Sequence, residues 1–125
     1  MIYTTEQIIS IEKVKKVFAE YISQFPDMDL IYSEKAGYII LYSIRPVEEN
    51  IVCDSIFVKD GRSLCNFLLY ELACTVMSKL GQFHDIHEAS PQERYMIEQA
   101  FEPYLAQLPE YRDLIDHPFE NPLKY

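Results

Sequence analysis

The chain is poor in the residues that make flexible or phosphate-binding backbone. It has three glycines among 125 residues, and Gly37, Gly61 and Gly81 stand far apart from one another. A loop that cradles phosphate needs closely spaced glycines, so the sequence holds neither a P-loop nor a dinucleotide-binding fingerprint. We therefore predict no cofactor. Because no glycine-rich stretch forms a linker, we expect one domain over residues 1–125.

Cysteine is also scarce, and long apolar runs are missing. Cys53, Cys65 and Cys74 contain no CxxC pair. Two of them, Cys65 and Cys74, lie half a turn out of phase on a predicted helix, so they cannot bridge each other. No stretch of about 20 apolar residues could span a membrane, and residues 1–6 lack a secretory signal. These absences predict a cytoplasmic protein with buried free thiols and no membrane association.

Positive charge is the third shortage. The chain has 11 Lys and Arg against 20 Asp and Glu, a formal net charge of −9. The excess is concentrated in residues 81–125, which carry 3 basic and 9 acidic side chains. Such a surface repels phosphate, so we predict no nucleic acid partner and no binding to anionic membranes. A basic protein partner and a solvated acidic surface both remain compatible with this charge.

Hydrophobic periodicity predicts seven elements in the order α-β-β-β-α-α-α. The main predicted elements are a capped helix at 5–24, strands at 28–34, 38–44 and 51–58, and an apolar central helix at 62–80. Short connections between successive strands favour an antiparallel meander. The sequence therefore predicts an α+β fold, with helices packed on a three-stranded antiparallel sheet. Residues 1–80 would form the core, and residues 81–125 an acidic helical extension with a tail.

Three local patterns set the predicted boundaries of this fold. The run 45–50, which contains Pro46, is typical of a loop between the second and third strands. Ser90, Pro91 and Glu93 have the spacing of a capping box and predict the start of a helix. The segment 117–125, with two prolines, is predicted to be an extended tail.

Apolar side chains on more than one face suggest that the chain associates with itself. Strand 38–44 is apolar on both faces, although helices are expected to cover only one. In the central helix, Leu64, Phe67 and Leu68 point toward the polar stripe that contains Glu71. An uncovered apolar patch commonly marks an interface, and a symmetric dimer is the commonest oligomer. We therefore predict a homodimer.

The chain is rich in tyrosine and lacks tryptophan, with ten Tyr and no Trp. Tyr32, Tyr38 and Tyr42 fall on the first predicted hairpin, where an apolar ring with a polar tip suits an interface or a pocket mouth. The same rings would also suit the boundary of the core. Asp54 interrupts an otherwise apolar strand face and must pair, reach water or shift its pKa. These four residues are the predicted binding residues.

The loop after the central helix contains the one cluster of ligand-type residues. It consists of His84, Asp85, His87 and Glu88. Imidazole and carboxylate groups bind zinc and related divalent ions, which makes His84, His87 and Glu88 the predicted metal ligands. The spacing differs from HExxH, because the histidines are three residues apart and Gly81 has already ended the helix. A solvated loop is the alternative interpretation.

No nucleophile, base and acid can be assembled from the sequence, which also lacks a GxSxG element. The favoured function is therefore an acidic protein-interaction or regulatory module without catalytic activity. One alternative is a metal-assisted hydrolase that uses His84, His87 and Glu88. The other is a small-molecule binding module with a pocket between the sheet and the helices.

Overall fold

The computed structural model describes residues 3–25, 28–47 and 50–120, and between residues 41 and 54 it describes the backbone alone. Its main elements are α1 (Thr5–Val17), α2 (Ala19–Ser23), β1 (Asp29–Ser33), β2 (Gly37–Val47), β3 (Asn50–Val58), α3 (Gly61–Lys79), α4 (Pro91–Leu105) and α5 (His117–Glu120). Their order confirms the predicted α+β fold. The chain divides into two compact units, Met1–Gly61 and Arg62–Tyr125.

The predicted capping box at the start of the first helix is confirmed. The Thr4 hydroxyl accepts from the Gln7 backbone N–H, and the Gln7 side chain accepts from the Thr4 backbone N–H. Two orphan donors are thereby satisfied. The predicted single helix at 5–24 is divided at Phe18, whose backbone leaves the helical region at φ −93° and ψ 8°. Phe18 is fully buried at this break.

The sheet is a meander in the order β1-β2-β3, with both pairs antiparallel. Gly37 opens β2 directly after the turn at residues 34–36 and has a positive φ of +90°. A Cβ at this position would lie 2.2 Å from a ring carbon of Tyr3. Only glycine fits, because the backbone conformation and the neighbouring ring each exclude a side chain.

The second and third strands are longer than predicted. The expected loop at 45–50 is wrong, because β2 continues through Val47 and β3 begins at Asn50. Pro46 pairs with Ile51, beyond a register shift between Tyr42 and Arg45. A proline is tolerated in a sheet beside such an irregularity, since the regular ladder is already interrupted there.

One face of the sheet is covered by α1. The Tyr38 hydroxyl donates a hydrogen bond of 2.6 Å to Glu12 Oε1 on that helix. The side chains that share this face are mostly buried: Leu30, Tyr38, Ile40 and Val58. Because side chains alternate along a strand, the intervening residues lie on the opposite face.

The apolar circumference of α3 is covered more completely than the sequence indicates. Leu64, Phe67 and Leu68 are buried in the single chain, so they need no second copy as a cover. Leu72 is also buried, whereas Val76 is only half-buried. None of the described helices is long and apolar enough to cross a membrane.

After α3 the chain forms shorter helical pieces. A 3-10 turn at Ile86–Glu88 interrupts a loop that was expected to be irregular, and a 3-10 helix follows α4 at Pro109–Asp116. The capping box of α4 is confirmed, since Ser90 and Glu93 exchange both hydrogen bonds. The predicted extended tail is wrong over His117–Glu120, which is helical and buries Phe119. Residues 121–125 of that tail lie outside the described residues.

Candidate functional site

The face of the sheet that α1 leaves uncovered carries an apolar row. Ile31 in β1 pairs with Ile39 in β2, which pairs with Phe57 in β3. Cross-strand partners lie on the same face, so the three side chains form one row across all three strands. Phe57 is 65% exposed and Ile31 is 37% exposed. We call this face, with Asp29, Ser33 and Ser55 beside the row, the open face.

The predicted binding residues Tyr32 and Tyr38 lie on the face covered by α1. Their ring centroids are 4.8 Å apart, and the Tyr3 ring meets Tyr38 edge-on at 5.9 Å. Burial and the hydrogen bond to Glu12 raise the pKa of Tyr38 to about 12. Tyr38 therefore joins the sheet to α1, while Tyr32 keeps an exposed edge. The Tyr3 hydroxyl donates to the Val58 carbonyl and completes the cluster.

The other two predicted binding residues are brought opposite each other. Tyr42 in β2 and Asp54 in β3 are Cα partners in the register of the sheet. Their side chains lie outside the described residues. Their role in binding remains a prediction.

The predicted metal ligands are divided between two contacts. His84 Nε2 lies 3.1 Å from Glu93 Oε1, within the capping box of α4. The Ser90 N–H, with His84 as a further contributor, holds the pKa of Glu93 below its usual range. His84 thereby contacts Glu93, and it is not part of the group that the other two predicted ligands form.

His87 and Glu88 instead lie beside Asp85. One ligand atom from each of the three side chains falls within 4.8 Å of the others, and His87 Nε2 is 3.8 Å from Glu88 Oε1. One imidazole and two carboxylates suit zinc and other first-row divalent ions. All three residues are exposed. The set that the structure groups is therefore Asp85, His87 and Glu88.

Asp85 also lines a pocket of about 190 Å³ beside α3. Burial and contact with Cys74 raise the pKa of the Tyr70 hydroxyl in this pocket to about 12. Burial, followed by nearby Glu71, raises the pKa of the Cys74 thiol. Both groups are therefore protonated at neutral pH and serve as neutral lining. The Cys74 thiol lacks the lowered pKa of an activated nucleophile.

A second hollow lies in the N-terminal unit between α1, α2 and β1. It measures about 360 Å³ and is lined mainly by apolar side chains. These are Ala19, Ile22, Phe25, Met28 and Leu30, with Lys15, Ser23 and Asp29 as polar neighbours. A small-molecule pocket between the sheet and the helices is one of the alternative functions that the sequence analysis leaves open.

Sequence reasoning predicted a second apolar face on strand 38–44 but missed the row across it, because Ile31 and Phe57 are remote from Ile39 in the chain. The alternation of Asp29, Ile31 and Ser33 contained the signal, but which residue of the next strands joins Ile31 depends on register. Tyr3 was missed for a related reason. It precedes the first helix and has no periodic partner, although it is buried.

Comparisons of the chain with protein-family models, curated proteins and solved structures find no match.

Proposed function

We propose that the protein is an interaction module, and that the open face is the surface through which it binds a second copy of itself. The single observation that carries this proposal is the row Ile31, Ile39 and Phe57, in which Ile31 and Phe57 are exposed and Ile39 is half-buried. An aromatic ring and two isoleucines in line across a sheet can be buried by a second sheet packed about 10 Å away.

Charge favours a second copy at this face over other surfaces of the chain. Each copy has a formal net charge of −9, so two copies repel each other on average. Among the described strand side chains of the open face, Asp29 is the only charged one. Two acidic copies can meet there with few carboxylates in opposition. A two-fold interface would also place the same row on both sides.

The mass of the protein in solution tests this proposal. We expect size-exclusion chromatography with light scattering to give twice the chain mass of 14.7 kDa at high concentration, with dissociation on dilution. Phe57→Ser should raise the dissociation constant of the dimer at least about tenfold. The substitution removes the one aromatic ring of the row, which is also its most exposed side chain. The substitution leaves the buried face intact, so circular dichroism should be unchanged.

Phe83→Ser is the matched control, because Phe83 is an aromatic side chain that is 87% exposed in the C-terminal unit. This variant should dimerise like the wild type. A concentration-independent mass of one chain would overturn the proposal, and so would a dimer that Phe57→Ser leaves intact. If Phe83→Ser alone dissociated the dimer, the interface would lie in the other unit.

The 360 Å³ groove supports small-molecule binding as a second candidate function. Its apolar lining lies between α1, α2 and β1, and Lys15 and Asp29 offer opposite charges beside it. A thermal-shift screen of small amphipathic compounds tests this candidate, with Ala19→Phe as the variant that fills the groove. Stabilisation that survives Ala19→Phe would place the ligand elsewhere.

A further inference from the structure

The loop between α3 and α4 is held in a defined shape at its centre. Ile86 is buried and anchors the 3-10 turn, while the residues on either side of it are exposed. The Glu88 N–H bonds to the Asp85 carbonyl at 2.9 Å, and the Ala89 N–H bonds to the Ile86 carbonyl at 2.9 Å. With Ile86 directed inward, Asp85, His87 and Glu88 are presented together on the outside of one turn.

The spacing of these three side chains is close to that of a metal-ligand set. Ligand atoms around a zinc ion lie roughly 3–4 Å apart, as metal–ligand bonds of about 2.0–2.2 Å in tetrahedral geometry require. In this cluster they lie within 4.8 Å of one another before any ion is bound. Small rotations can close the difference, because all three residues are exposed.

A separate observation concerns the space next to the cluster. Asp85 belongs both to the cluster and to the lining of the 190 Å³ pocket, which also contains Tyr70, Cys74 and Ile86. Three protein ligands leave at least one coordination position for water or another small ligand. Of the three cluster residues only Asp85 lines the pocket, so the pocket offers room for such a ligand on the Asp85 side of the cluster.

We propose that Asp85, His87 and Glu88 bind a divalent first-row transition metal ion of the zinc type. Two carboxylates balance the charge of the ion, and the imidazole favours zinc, cobalt or nickel over magnesium. We leave His84 out of this set, because its Nε2 contacts Glu93 at 3.1 Å and it does not belong to the group of three. The site is independent of the open face, which lies in the other unit.

Titration with Co²⁺ and Zn²⁺ tests this site on protein that has been freed of its affinity tag and stripped of metal. We expect one ion per chain, with visible cobalt absorption and a competing displacement by Zn²⁺. His87→Ala and Asp85→Asn should each weaken binding by at least about tenfold, as loss of a metal contact does. Mg²⁺ in the same titration should bind much more weakly.

His84→Ala is the matched control, since it removes the neighbouring imidazole without touching the proposed ligands. Its affinity for Co²⁺ should equal that of the wild type. Cys74→Ser should also bind normally, and the cobalt spectrum should lack the near-ultraviolet band of a thiolate ligand. The proposal is overturned if the wild type shows no saturable binding up to millimolar metal. Equal losses in His84→Ala and His87→Ala, or dependence on Cys74, would also overturn it.

Discussion

Tyr3 and Gly37 depend on each other at the scale of single residues. The ring of Tyr3 occupies the space that a Cβ at residue 37 would need, and its hydroxyl bonds to the Val58 carbonyl. The hairpin turn is therefore fixed both by the positive φ of Gly37 and by a side chain from outside the sheet. Turn chemistry alone predicts the glycine, but only the fold explains why the site has no room.

We expect Gly37→Ala to lower the free energy of unfolding by about 1–3 kcal/mol, because it adds both backbone strain and a clash with Tyr3. Urea denaturation monitored by circular dichroism measures this loss. Gly81→Ala is the control, since Gly81 has a φ of +73° but nothing lies within 4 Å of its missing Cβ. That variant should lose only about 1 kcal/mol. Equal losses at the two positions would show that the Tyr3 contact does not contribute.

Glu71 has an environment that differs from its position in the sequence pattern. It falls on the predicted polar stripe of α3, yet burial raises the pKa of its carboxyl above the ordinary 4.5. Between 4.5 and that raised value, the folded state binds more protons than the unfolded state. Stability therefore falls as pH rises through this window, and it stays lower above it.

Glu71→Gln should consequently raise the melting temperature at pH 7, because a neutral amide of the same shape avoids the buried charge. The gain should shrink as the pH falls toward 4, where the wild-type carboxyl becomes protonated. Thermal melts across this pH range measure the difference. Glu34→Gln, in the exposed hairpin turn, should change little at any pH. A gain at Glu71 that is constant with pH would contradict the assignment to burial.

At the scale of whole elements, the sequence predicted those helix and strand boundaries that depend on residues close in the chain. Both capping boxes, at Thr4 and at Ser90, and the start of each strand follow from neighbours within a few residues. The extension of β2 through Pro46 was not predictable in this way, since a proline between polar residues is typical of a loop. It depends on the register shift after Tyr42, which is a property of two strands together.

The two candidate sites differ in the same way, because one is formed by residues close in the chain and the other by residues from three strands. His84, Asp85, His87 and Glu88 are close together in the chain, so the cluster could be read from the sequence, but which three of them group together needed the structure. Ile31, Ile39 and Phe57 come from three strands, so their row needed the register. The helix at 117–120 was missed because Pro118 lies at its first turn, where proline is tolerated.

At the scale of the molecule, the acidic excess of the C-terminal unit is partly matched by three arginines. Arg62 pairs with Asp113, and Arg112 pairs with Glu102. The third, Arg94, bonds to Glu98 and Asp116 and stacks over the Phe119 ring at 4.3 Å from its centroid. These bridges connect the 3-10 helix at 109–116 with α3 and α4. Arg62 also holds the pKa of Asp113 below its usual range.

Because the side chains of these bridges are between 32% and 60% exposed, salt should weaken them. We expect backbone hydrogen exchange over residues 109–116 to accelerate by roughly two- to fivefold between low salt and 1 M NaCl, which corresponds to the energy of about one surface pair. Mass spectrometry of proteolytic fragments measures the rate. The β1–β2 hairpin serves as internal reference and should not change. Equal acceleration in both segments would indicate general destabilisation instead.

The contact between Tyr3 and Val58 has a consequence for the order in which parts of the protein fold during synthesis. The two residues are 55 positions apart in the sequence, so their hydrogen bond joins the two ends of the N-terminal unit's chain. During synthesis on the ribosome, Tyr3 must wait until 55 further residues have been added before its partner exists. Helix α1 can form early from its own capping box, but the N-terminal unit closes only after β3 has emerged.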